Sequence, residues 1–276
     1  DTTEANKTTL RKLLERYERE VSSKKRTRQD PYLIKNICKY EFVDKVLSHI
    51  SSSDIAEFRD KRLNVISASS VNRELSIISD CINRATTEWK CYIRENPVKN
   101  NLRLKENPSR TRRLEGNEYQ LLMQSCKNNR AFWCPIIDFA IHTGMRRGEL
   151  LSATWQMVSF EKKIISLPAE ITKTNKVRNV PLQPHAIEIL KKMPRSLTGK
   201  IFPIGIKNFE RSWNAICKRS NITGLRFHDL KREAISRLFE KGLSVSEVRT
   251  FVGNSLTSLS VYTQHDSTTL AEKLAR

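Results

Sequence analysis

Apolar residues return at helical spacing through the N-terminal third of the chain. In LRKLLERYEREV, Leu13, Leu14, Tyr17 and Val21 share one face, and in SVNRELSIISDCINRATTEW so do Val71, Leu75, Ile78 and Ile82. VDKVLSHI and IAEFRDKRL are shorter stretches of the same kind. Ser53 ahead of Asp54-Ile55, and Ser69 or Ser70 ahead of Val71, predict N-caps, because a serine hydroxyl accepts a first-turn amide that the helix leaves unpaired. A helical bundle over 1–102 follows. The stretch NNLRLKENPSRTRRLEG then loses periodicity and gains Asn, Pro, Ser and Arg, which predicts an interdomain linker at 103–113. Over 114–276 helices are expected at 117–125, at 132–142 and from Met145 through RRGELLSATW. The period then shortens to β-prone runs VSF, IISLPAE and VRNVPL, joined by hairpin turns at EKK and TKTNK. Helices resume at Pro184. The expected fold is mainly α with a small antiparallel β-sheet, as a helical domain followed by a mixed α/β domain.

Composition gives this two-domain pattern a partner. With 276 residues and 38% hydrophobic content, the chain can bury two cores. Its 50 Lys and Arg against 30 Asp and Glu leave a net charge of +20, which points to a polyanion. Double-stranded DNA is the first expectation, since phosphate neutralisation dominates its binding. An anionic membrane surface is the rival, but no long apolar run or signal-peptide pattern appears, so a cytoplasmic protein without a membrane partner is expected. Because the chain opens on Asp1 rather than Met, it is compatible with a fragment that has lost an N-terminal portion.

Candidate phosphate contacts are Lys24, Lys25, Arg26 and Arg28 in KKRTRQ, Arg73, the linker's Arg110, Arg112 and Arg113, Lys176 and Arg178 at the second hairpin, and Arg232. A flexible charged linker accounts for the linker arginines equally well. Six cysteines without C-x-x-C spacing read as reduced, packed thiols, and five dispersed histidines form no H-E-x-x-H pattern. With no G-x-x-x-x-G-K-[ST] loop either, neither a metal nor a nucleotide cofactor is expected.

Four segments carry candidate chemistry. HTGMRRGELL sets Arg146 and Glu149 three apart at a helix start, where a guanidinium can clamp phosphate and a carboxylate can orient it. ITKTNKVRNVPL exposes Lys173 on a turn, able to protonate a leaving oxygen if neighbouring cations lower its pKa. In FHDLKREAISRLFEKG, Ala234, Ile235, Leu238 and Phe239 form an apolar arc with Lys231 near its middle and Arg232 at its edge, and His228 lies beside both. The last segment, GLSVSEVRTFVGNSLTSLSVYTQHDS, has a Ser244/Glu247 capping box, a helix-ending Gly253, and Tyr262. Each pattern alone has an ordinary structural explanation.

Taken in order, TGMRRGEL, a lysine-bearing hairpin, FHDLKREA and a late tyrosine after a Val-Gly turn resemble the tyrosine recombinase (phage integrase) family. The resemblance covers nearly the whole chain, since SVNRELSIIS and TTEWKCYIRENPV look like that family's core DNA-binding domain. It implies that Tyr262 attacks a DNA phosphate to form a 3′-phosphotyrosine, without metal or ATP. Arg146 would hold the non-bridging oxygens, Lys173 would protonate the leaving 5′-oxygen, His228 would assist proton transfer, and Glu149 would support them. It also implies a tetramer on two duplexes, and a site-specific recombinase of a phage or other mobile element, often preceded by an N-terminal arm-binding module.

Two positions depart from that pattern. Lys231 stands where the family has its second phosphate-binding arginine, and Asn254 where it usually has His or Trp. A lysine brings charge without the planar fork, and losing such a contact costs on the order of 3 kcal/mol in the transition state. An impaired enzyme is therefore expected. The competing expectation is a catalytically silent DNA-binding protein, with a type IB topoisomerase as a third. The spacing from Gly253 to Tyr262 is also slightly short. Beyond it, Ser267, Leu270, Ala271 and Leu274 predict a short helix, docked on a neighbouring protomer or, nearly as readily, on its own domain.

Overall fold

Leu10, Leu13, Leu14 and Tyr17 are all buried in the structure, a computed structural model that describes residues 4–24, 29–108, 110–127 and 132–262. They form the inner face of α1 (Leu10–Glu20), which joins α2 (Asp30–Ile37), α3 (Ser52–Leu63) and α4 (Ala68–Thr87) in the first of two compact units, Asp1–Pro108. Val71, Leu75, Ile78 and Ile82 of α4 are fully buried in the same core. Tyr17 donates its hydroxyl to Asp80 of α4 at 2.5 Å. Arg62 and Glu74 meet inside the unit through paired hydrogen bonds of 2.7 and 2.6 Å, the fork geometry that makes a buried ion pair tolerable.

Three local details differ from expectation. The caps are Ser51 and Ser67 rather than Ser53 and Ser69 or Ser70. The earlier serines have the extended backbone a cap requires, with ψ of 165° and 154°. VDKVLSHI forms two 3-10 turns, Glu41–Asp44 and Leu47–His49, instead of a helix. Between them Val46 bridges Thr9 and the Lys45 carbonyl accepts the Leu10 amide, a tertiary pairing that an eight-residue helix is too short to outweigh. The helix α2, begun by Asp30-Pro31, was not anticipated.

The second unit, Ser109–Arg276, holds α5 (Glu118–Lys127), α6 (Trp133–Thr143) and α7 (Arg147–Ser152) before its sheet. The strands β1 (Val158–Ser159), β2 (Ile164–Leu167) and β3 (Arg178–Pro181) pair antiparallel in that order, with Ile165 opposite both Val158 and Val180. Then come α8 (Pro184–Lys192), α9 (Ile206–Arg219), α10 (Asp229–Glu240), α11 (Val245–Val252) and α12 (Leu256–Leu259). The architecture is mainly helical with one small antiparallel sheet. The connection from β2 to β3 is a long loop, not a tight hairpin turn; it contains a 3-10 turn at Ala169–Ile171 and is closed by the Thr172 hydroxyl donating to the Lys176 carbonyl at 2.8 Å.

Asp138 ties three helices together. Its carboxylate takes a hydrogen bond from Tyr119 of α5 at 2.9 Å and lies 2.6 Å from the His185 Nε2 of α8, with the His142 ring of its own helix beside it. The dispersal of histidines along the sequence hides this meeting. Among the described residues this trio is the one group of metal-ligating side chains within reach of one another, and hydrogen bonds already join its members. No described helix is long and apolar enough to cross a membrane.

Candidate active site

The site is built outward from a left-handed glycine. Gly144 ends α6 with φ +58°, and a Cβ there would lie 2.9 Å from the Val252 side chain, so both backbone and space require glycine. The turn it makes places Arg146 as the extended residue before α7. Glu149, three residues on and 1% exposed, accepts the Arg146 amide at 2.9 Å and its guanidinium at 2.8 Å. The same carboxylate takes Arg178 Nη1 at 2.5 Å. Burial pushes the Glu149 pKa up, but Arg178 and Arg146 outweigh it and hold the group ionised. On its other side Arg146 donates to the Gly253 carbonyl at 2.9 Å and faces Asn254 Oδ1 at 3.4 Å. Gly253 is again left-handed, and a Cβ on it would strike the Arg178 side chain at 2.7 Å.

Arg146 opens onto a cleft of about 630 Å³ that it shares with Lys173 from the β2–β3 loop and His228 from the start of α10. Three segments far apart in sequence thus converge. Protein crowding around His228, then the charges of Arg232 and Lys231, lower its pKa against the pull of Asp229, so the neutral ring is favoured at pH 7. Arg147 and Arg226 line the same cleft and were not among the expected site residues. The alternation of buried Leu225 and Phe227 with exposed Arg226 and His228 is the signal that would have found Arg226.

Several expected residues lie elsewhere. Lys231 is 4% exposed and sits beneath the cleft, not in it. Its Nζ donates to the Gly144 carbonyl at 2.9 Å and the Val252 carbonyl at 2.8 Å, so it braces the two turns that carry Arg146 and Asn254. Burial first, and then Arg146 and Arg178, push its pKa well below the lysine range. Arg178, expected at a DNA surface, is buried on Glu149 and the Phe251 carbonyl. Arg232 pairs with Asp229 at 2.7 Å. The linker arginines are likewise occupied: Arg110 by Asp229, Arg112 by Glu118, and Arg113 by Glu233 and Glu240. Arg73 and Lys176 are exposed. Lys25, Arg26, Arg28, the Lys24 side chain and the expected helix at 267–274 lie outside the described residues.

Tyr262 does not line the cleft. It borders a separate cavity of about 280 Å³ with Arg110, Arg113 and Phe239, its ring stacked on Phe239 at 6.5 Å between centroids. Burial raises its pKa, and the hydrogen-bonded Arg232 offsets that only in part, so the phenol is neutral here.

Residues 112–269 match the sequence profile of the phage integrase family. This chain belongs to that family. The recombinase is 33% identical over 279 residues to the shufflon-specific DNA recombinase of Escherichia coli, an alignment covering 97% of this chain and 72% of that protein. Its fold is shared with the Tn1549 transposon integrase bound to circular intermediate DNA, with a TM-score of 0.80 at 14% identity over 98% of this chain and 100% of that one. A λ integrase tetramer bound to a Holliday junction superposes with a TM-score of 0.70 at 24% identity, covering 90% of this chain and 75% of that one. Membership makes the protein a site-specific recombinase, an enzyme of DNA cleavage and rejoining.

Proposed function

We propose that this recombinase cleaves DNA with Tyr262 as nucleophile and Arg146, Lys173 and His228 as the groups that stabilise and protonate. The observation that carries this reading is the convergence of those last three side chains on one cleft, with buried Glu149 fixing Arg146. In the reaction the Tyr262 oxygen bonds to phosphorus as the bond to the 5′-oxygen breaks, leaving a 3′-phosphotyrosine. Neutral His228 accepts the phenol proton, and the Lys173 ammonium gives one to the departing 5′-oxygen. Arg146 holds a non-bridging oxygen as charge develops. Lys231 acts from below by holding the Gly144 and Gly253 turns together. The helical unit, with Arg73 exposed on α4, serves as the core DNA-binding domain. Assembly as a tetramer on two duplexes is supported by the likeness to the λ integrase tetramer, and a phage or other mobile element is the natural source.

Tyr262 must leave its stack on Phe239 to reach the cleft, and that placement favours a second reading, a DNA-binding protein of the same fold that does not cut. One assay separates them. A nicked suicide duplex, selected by the protein from a randomised pool, is expected to yield a denaturant-resistant adduct with the unaltered chain and none with Tyr262→Phe. Binding without any adduct would establish the silent reading.

A further inference from the structure

We infer that Arg226 supplies the second guanidinium for the scissile phosphate, the place that Lys231 leaves empty. The inference rests on the catalytic reading above. A phosphoryl group under attack carries its charge on two non-bridging oxygens, and Arg146 arrives with its own charge already shared with Glu149. A further cation without a carboxylate is needed. Around the cleft the arginines are spoken for one by one: Arg147 by Glu210 at 2.5 Å, Arg178 by Glu149, and Arg232 by Asp229. Lys231 has turned its Nζ to two carbonyls. Among the described cations that line the cleft, Lys173 and Arg226 make no ion pair, and of the two only Arg226 has the planar fork that matches phosphate oxygens.

The backbone of Arg226 is held firmly enough to aim it. Its amide donates to Asp229 Oδ2 at 2.8 Å, and its carbonyl accepts the Asp229 amide at 2.8 Å. The next residue, Phe227, is wedged edge-on between Phe209 and Trp213, at 4.7 and 5.3 Å between centroids. Arg226 and His228 are both exposed and line the same cleft. The Asp229 carboxylate is fully buried and spends its oxygens on Arg110, Arg232 and the Arg226 amide, so it does not neutralise the Arg226 guanidinium.

The test uses the full chain, the selected suicide duplex, and the same duplex with a methylphosphonate at the scissile position. The methyl group removes the charge that Arg226 is said to meet. Arg226→Ala is expected to slow adduct formation about a hundredfold on the phosphodiester, with duplex affinity changed only a few-fold, and to come within about fivefold of the unaltered chain on the methylphosphonate. A loss that is equal on both substrates, or no loss, overturns the assignment and leaves the catalytic reading intact. Absence of an adduct from the unaltered chain, or its persistence in Tyr262→Phe, removes the catalytic reading and this inference with it.

Discussion

Helix α10 borders two basic cavities that differ in how their charges are spent. At its start, the cleft holds Lys173 and Arg226 without acidic partners among the described residues, and an Arg146 aimed by a buried carboxylate. Farther along, the cavity beside Tyr262 is lined by Arg110 and Arg113, with Arg232 at the phenol, and each of these is held by Asp229, Glu233 or Glu240. Residue type does not separate the two places. Pairing does: beside Tyr262 every one of these arginines is balanced by an acid, whereas the cleft keeps two cations that no acid among the described residues balances. The net charge of +20 announces a polyanionic partner, and the distribution of acids decides where that partner can be gripped.

The largest effect should come from breaking the acid that builds the cleft. Glu149→Ala leaves two guanidinium groups in a buried place, and is expected to lower unfolding stability by about 4 kcal/mol and to abolish adduct formation; denaturant titration beside the cleavage assay checks both. Arg146→Ala should spare most of the stability while slowing cleavage close to a thousandfold, about 4 kcal/mol in the barrier. A small effect there would erase the distinction between the two cavities.

The pH profile gives the next contrast. The His228 pKa lies below its ordinary value, so the neutral ring that the proposed mechanism uses persists as pH falls and is lost only as pH drops through that lowered pKa. The acid limb of the cleavage rate is expected below about pH 6.5. His228→Ala should lower the rate about a hundredfold and flatten that limb; an unchanged limb would assign it to another group.

On the other cavity the expected sign reverses. Arg232→Ala removes a partner of the parked phenol and should speed adduct formation about fivefold, the equivalent of one hydrogen bond near 1 kcal/mol. A slower reaction would make Arg232 part of the catalytic apparatus instead. Smallest of all, Arg113→Gln is expected to cost about 0.5 kcal/mol of stability and to leave the salt dependence of duplex binding unchanged. Arg226→Gln, in contrast, should reduce the slope of log K against log salt by about one.

Much of this was legible in the sequence because it rests on local rules. The periodicity of Leu13, Leu14 and Tyr17 marked α1, and the left-handed Gly253 at the end of α11 followed from turn chemistry. The arc of Ala234, Ile235 and Leu238 put Lys231 on the apolar face of α10, and the structure buries that lysine with the face instead of presenting it to a phosphate. The caps fall two or three residues earlier than expected because several serines compete and only backbone conformation chooses among them. VDKVLSHI followed its pairing with Thr9 rather than its own helical pattern.

What the sequence by itself determined was the class of fold, the two-part organisation of its patterns, the kind of partner, and the order of the chemical groups along the chain. Periodicity, charge and spacing are properties of neighbours, and they survive without a third dimension. Only the tertiary structure decided which cations are free. It spent Arg178 on Glu149, Arg113 on Glu233 and Glu240, and the Lys231 Nζ on two carbonyls, while leaving Arg226 open. It also set Tyr262 on Phe239, away from the cleft. An ion pair joins residues more than a hundred positions apart, as Arg113 and Glu233 do, and no local pattern records which acid a given arginine will meet.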